Sequence, residues 1–126
     1  MRFYMLITLV THFLLAASCS GPEEVPGFNN SRFKNDPDGC DGERMQMLDS
    51  ILSAKNNLLG RNRFDLEKVI GKPDREELYE KGQRYYIYLL EPGPACDRTP
   101  NVERPMMLYV RLSALDQVTE VSVKNI

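Results

Sequence analysis

Asn62-Arg63-Phe64-Asp65-Leu66-Glu67-Lys68-Val69-Ile70-Gly71-Lys72-Pro73 reads as one short helix whose two ends are both written into the sequence. Asn62 is an N-cap residue: its side-chain oxygen accepts from an N–H group that the first helical turn leaves without a partner. Leu66, Val69 and Ile70 recur at helical spacing and form a single apolar stripe. Gly71 tolerates the positive φ at which helices end, and Pro73 cannot continue one.

Working outward, residues 42–59 carry Met45, Leu48, Ile51, Leu52, Leu58 and Leu59 at near-helical spacing. Asp41 would cap this first helix and Gly60 would stop it. Downstream lie three strand-like runs, 83–90, 106–112 and 118–123. A hairpin-sized loop, 113–117, joins the last two, whereas 91–105 is long, rich in proline and holds Cys96. Leu108, Val110 and Leu112 alternate, as do Val121 and Val123, so each strand has an apolar face. Helices with one apolar stripe laid on one face of a short antiparallel sheet bury both sets. The expected fold is therefore α+β, two N-terminal helices on one face of a three-stranded antiparallel sheet (ααβββ), over a domain of residues 40–126. The opposite face is expected to carry some of Tyr86, Tyr88, Tyr109 and Arg111. Tyr and Arg are favoured at interfaces, which makes these four candidate partner-binding residues. Tyrosines that merely decorate a half-exposed strand pair are the plainer alternative.

The segment from Leu59 to Pro73 resembles the signature of the SmpA/OmlA (BamE-like) lipoprotein family. Gly60, the capping Asn62, the aliphatic Leu66 and then Ile70, Gly71 and Pro73 occupy its places. The strand runs around Tyr86, Tyr109 and Val121 follow in the family's order, so the resemblance spans about residues 58–124. The same helix–helix–sheet unit occurs in proteins similar to β-lactamase inhibitory protein. The resemblance implies a protein-binding accessory of outer-membrane assembly with a protein partner in the envelope.

The first residues speak to compartment. Arg2 is followed by an almost wholly apolar run to Leu15, and the small residues Ala16, Ala17 and Ser18 precede Cys19. Charge, apolar segment and small-residue site form the secretory signal arrangement, and the run is short against the roughly 20 residues of a membrane span. Leu15-Ala16-Ala17-Ser18-Cys19 resembles a lipobox. Residues 1–18 are accordingly expected to be a lipoprotein signal peptide, and Cys19 the lipidation site that holds the chain on a membrane of the bacterial envelope, expected to be the outer one. Ordinary cleavage after Ser18, giving a soluble secreted protein, is the alternative. Residues 19–39 hold Gly, Pro, Asn, Ser and charge, with only Val25, Phe28 and Phe33 as large apolar residues, and read as a flexible tether.

Three cysteines in an exported chain leave one over. With Cys19 acylated, Cys40 and Cys96 remain as an even pair in an oxidising compartment. A bridge between them would close a loop of about 57 residues, worth roughly 4 kcal/mol in the chain-entropy picture. Two free buried cysteines are the alternative.

The chemistry that remains is narrow. His12 is the single histidine and leaves with the signal, so the mature chain has no imidazole base or histidine ligand. No glycine-rich phosphate cradle and no nucleophile-elbow serine occur. Asp36-Pro37-Asp38-Gly39-Cys40-Asp41 has the look of a calcium loop, but its first and last ligand positions would fall on Lys34 and Met45, which supply no carboxylate. It reads instead as a turn before the capping Asp41, and Glu76, Glu77 and Glu80 read as a solvated loop. Neither a catalytic residue nor a metal, cofactor or small-molecule substrate is implied. Without Arg2 the chain has 15 basic and 18 acidic side chains, a net charge of −3 of mixed sign. That argues against nucleic acid as partner and against a polybasic membrane patch. Two function classes are expected: a non-enzymatic, lipid-anchored scaffolding module of the envelope, or a surface-exposed or secreted inhibitor on the same fold. Protease shaving of whole cells separates them. An enzyme using only carboxylates and tyrosines is the remaining class.

Overall fold

The computed structural model describes residues 24–27, 29–97 and 102–125. The signal peptide, Cys19 and Phe28 lie outside them. The chain forms short helices on one face of an antiparallel sheet, an α+β arrangement. In chain order come α1 (Asn30–Lys34), a 3₁₀ turn (Pro37–Gly39), α2 (Glu43–Gln46), α3 (Leu48–Ala54), a second 3₁₀ turn (Lys55–Leu58) and α4 (Arg63–Ile70). Then follow β1 (Arg75–Leu78), a third 3₁₀ turn (Glu80–Gly82), β2 (Arg84–Leu89), β3 (Met106–Leu112) and β4 (Val118–Asn125).

Helix α4 stands where its end signals put it. The Asn62 side chain accepts from the Asp65 amide at 3.0 Å, and Gly71 closes the helix at φ 86° while its N–H donates to the Glu67 carbonyl at 2.9 Å. Residues 42–59 depart from one continuous helix. Met47 and Leu59 donate to carbonyls three residues back, tightening the chain into turns, and Asn56 and Asn57 are poor helix formers. The inward positions Met47, Ile51, Ala54 and Leu58 survive these breaks and enter the core. Asp41 is not the cap. The fully buried Asp36 does that work, accepting from the Asp41 and Arg44 amides at 2.7 and 3.0 Å.

The sheet has four strands in the order β1-β2-β3-β4, each antiparallel to the next, in place of the three expected. The extra strand comes from the charged run read as a solvated loop: Arg75 faces Ile87 and Leu78 faces Arg84 across the β1–β2 ladder. An edge strand gains backbone hydrogen bonds on one side without burying its side chains, so charge does not exclude it.

Register settles the faces. Tyr86 lies opposite Val110 and Tyr88 opposite Leu108, which puts both tyrosines on the helix-covered face, 2 % and 0 % exposed. Their expected exposure on the open face is thus corrected: the strand's period of two assigns them to the core together with Leu108, Val110 and Leu112. The opposite face carries Ile87, Leu89, Met107 and Tyr109, with Tyr85 half-buried beside them.

The stretch read as a tether is partly built into the domain. Val25 and Phe33 belong to the main core, and the Phe33 ring lies 5.7 Å from that of Tyr88. Lys34 ties α1 to α4 by donating to the Lys68 carbonyl at 2.9 Å. The polar composition of the stretch hid these two core residues. Cys40 and Cys96 form the expected disulfide, Cα atoms 5.4 Å apart, joining the turn before α2 to the loop after β2. In that loop Gly93 lies so close to Leu89 that a Cβ there would fall 2.2 Å from the Leu89 side chain.

Candidate functional site

One buried charge pair holds the site in place. Arg44, 2 % exposed, donates to Asp74 at 2.6 Å and to the Leu89 and Phe33 carbonyls at 3.0 and 2.9 Å. Its guanidinium also lies over the Phe33 ring, 4.6 Å from the centroid. Asp74 in turn accepts from the Leu89 and Asp38 amides at 2.7 and 2.9 Å. Thus α1, α2, the end of β2 and the residue preceding β1 converge on a single ion pair. Burial of its own carboxyl, and then the charge of Asp74, raise the Asp38 pKa above the ordinary carboxylate value.

Fixed in this way, β1 and α4 enclose a cleft of about 450 Å³ lined by Arg63, Phe64, Glu67, Lys72, Glu76 and Tyr86 among others. The Tyr86 hydroxyl donates to Glu67 at 2.9 Å. Burial, and next the hydrogen bond to Glu67, push the Tyr86 phenol up to about 12. Tyr88 is raised further still by its burial, and donates to the Gly71 carbonyl at 2.8 Å. Neither phenol is poised to lose a proton near neutral pH. Of the carboxylates, Asp74 is held by Arg44, Glu76 by Arg84 at 2.8 Å, and Glu67 by Tyr86.

What the cleft offers outward is apolar surface and a free strand edge. Phe64 is 65 % exposed at the start of α4, Leu78 85 % at the end of β1 and Tyr79 43 % just beyond it. Phe64 lines the cleft and Leu78, opposite Arg84, lies on the same side of β1, whereas the Tyr79 ring packs 5.3 Å from that of Tyr85 on the open face. Two large apolar side chains exposed beside one edge strand are the feature a partner would cover.

Of the four residues singled out from sequence, none lines this margin as a free side chain. Tyr86 and Tyr88 are core residues. Tyr109 is 6 % exposed on the other face, with the Lys124 ammonium 4.2 Å from its ring centroid, and burial raises its pKa. Arg111 is held by Glu120 at 2.9 Å. Of the residues missed, Leu78 and Tyr79 did carry a signal: an apolar pair inside a charged run, followed by the turn Glu80-Lys81-Gly82, then a strand. That is the pattern of a hairpin.

Among the described residues no group of His, Cys, Asp and Glu is placed to hold a metal ion. No protein-family model, no curated protein and no solved structure matches the chain.

Proposed function

We propose that this protein is a non-enzymatic, lipid-anchored module of the bacterial envelope that binds another protein through the margin of the α4–β1 cleft. The observation that carries the reading is the exposure of Phe64 and Leu78 on one side of β1, a strand whose outer edge has no partner among the described residues. Support comes also from the state of the cleft's polar groups: its carboxylates are engaged in internal contacts and its phenol stays protonated, which suits recognition better than proton transfer. The lipid anchor on Cys19 is read from the residues that precede it, and an outer-membrane location with an accessory role in assembly from the resemblance of Leu59 to Pro73.

The anchor and the fold together set a reach. Val25 already belongs to the core, so only Ser20–Glu24 separate it from Cys19. Six peptide steps span at most about 20 Å. The partner is therefore sought close to the anchoring membrane, not across the envelope.

Affinity capture with the tagged protein from envelope extracts tests the reading. A partner retained by the native chain and lost with the pair Phe64→Glu, Leu78→Asp is the expected result, and intact mass should show an acyl group that Cys19→Ala removes. Capture insensitive to the rim substitutions refutes the docking surface, and a processed chain without an acyl group refutes the anchor.

A further inference from the structure

We infer that the edge of β1 receives an extended segment of the partner as a fifth strand, and that this segment carries a basic residue opposite Glu77 and an acidic one opposite Arg75. The inference rests on the protein-binding reading above and names its mode and the chemistry of the ligand.

The backbone supplies the template. Tyr79 donates to the Gln83 carbonyl at 2.9 Å, so Tyr79 turns its polar groups toward β2. In an antiparallel ladder that orientation alternates. Arg75 and Glu77 therefore also face β2, while the N–H and C=O groups of Glu76 and Leu78 face outward. All four residues of β1 are exposed. Arg75, Glu76 and Glu77 give this edge the charge that natural edges commonly carry, whereas Leu78 presents a large apolar side chain at 85 % exposure.

Side chains give the added strand its sequence. Residues opposite Glu76 and Leu78 would form the hydrogen-bonded pairs and lean to the helix side, where Leu78 and Phe64 want apolar partners. Residues opposite Arg75 and Glu77 would form the closer, non-hydrogen-bonded pairs on the open side. Neither Arg75 nor Glu77 belongs to an ion pair among the described residues. An antiparallel segment thus reads apolar, basic, apolar, acidic from its N-terminal end. A second copy of the chain fits poorly. Pairing Glu76 with Leu78 of the copy, the register that uses both outward-facing residues, would set Glu77 against Glu77, and like charges directly opposed destabilise a strand pair.

The probe is the peptide acetyl-Thr-Val-Lys-Val-Asp-Thr-amide, compared with its charge-exchanged form acetyl-Thr-Val-Asp-Val-Lys-Thr-amide. Nitrogen-15-labelled protein, purified in its processed form, reports binding through its backbone amides. The first peptide should shift the Glu76 and Leu78 amides most and bind roughly five-fold more tightly than the second. The charge-reversed pair Arg75→Glu, Glu77→Lys should invert that preference, and Glu76→Pro should abolish binding while leaving the β1–β2 ladder in place. Equal binding of the two peptides, or shifts that avoid Glu76 and Leu78, would overturn strand addition. So would partner capture from the envelope that survives Glu76→Pro, although that result would leave the protein-binding reading standing.

Discussion

Removing the carboxylate of Asp74 should cost the fold more than removing the guanidinium of Arg44, although the two form one ion pair. Asp74→Ala strands three groups: the Arg44 charge, which keeps only the Leu89 and Phe33 carbonyls, and the Leu89 and Asp38 amides. A buried pair broken on one side costs about 3–5 kcal/mol, and an orphaned buried N–H about 1–3 kcal/mol more where it stays dry. Arg44→Met leaves Asp74 with both amide donors, and the methionine retains much of the stem's packing against Phe33 and Tyr88. Both variants break the buried pair, and Arg44→Met also strands the Leu89 carbonyl, but Asp74→Ala leaves a full charge and two amides without their acceptor. Asp74→Ala is expected to cost about 1–2 kcal/mol more than Arg44→Met. Urea denaturation with the disulfide intact measures both, through the midpoint at unchanged slope. Equal losses, or a loss under about 1.5 kcal/mol for Asp74→Ala, would show that the pair is not the junction described. It would also remove the reason for β1 to stand where it does.

Three further outcomes follow from the same contacts. The double variant Cys40→Ser, Cys96→Ser should fold but lose about 4 kcal/mol by loop-closure entropy, with proteolytic nicking in the loop after β2; a native melting temperature would contradict this. Gly71 sits at φ 86°, and a Cβ there would lie 3.1 Å from the Lys34 side chain, so Gly71→Val should cost about 1–2 kcal/mol, read as a melting temperature lower by roughly 8 °C. The Tyr86 pKa is raised in the folded state from 10.0 to about 12, so its contribution is complete below pH 10 and lost as pH climbs toward 12. The stability of Tyr86→Phe should accordingly fall less steeply across that interval than that of the native chain, and parallel curves would refute the assignment.

Helix α4 was fully legible in sequence because its ends depend on local chemistry, an Asn cap and a Gly–x–Pro stop. Strands β3 and β4 were legible because alternation survives without knowledge of partners, and β2 because it is a run of strand-favouring aromatic and β-branched residues. The faces were harder. Four neighbouring aromatic or aliphatic residues, Tyr85 to Tyr88, give no polar alternation, and only pairing with Val110 and Leu108 shows which tyrosines are buried. Strand β1, the Asp36 cap and the Arg44–Asp74 pair are all created by tertiary contacts, between residues as far as 30 positions apart in the last case. Charged residues read as solvent-facing until their partners are known. Val25 and Phe33 were hidden for a related reason, since composition averages over the two side chains that decide where the tether ends.

Photo-cross-linking in living cells tests the central claim most directly, with the reactive side chain placed at position 78 on the edge of β1 or at position 120 on β4. A discrete adduct from position 78, absent from position 120 and strongly reduced by Cys19→Ala, is predicted. Adducts from position 120 alone, or an adduct at position 78 indifferent to loss of Cys19, would contradict a membrane-held module that docks its partner along β1.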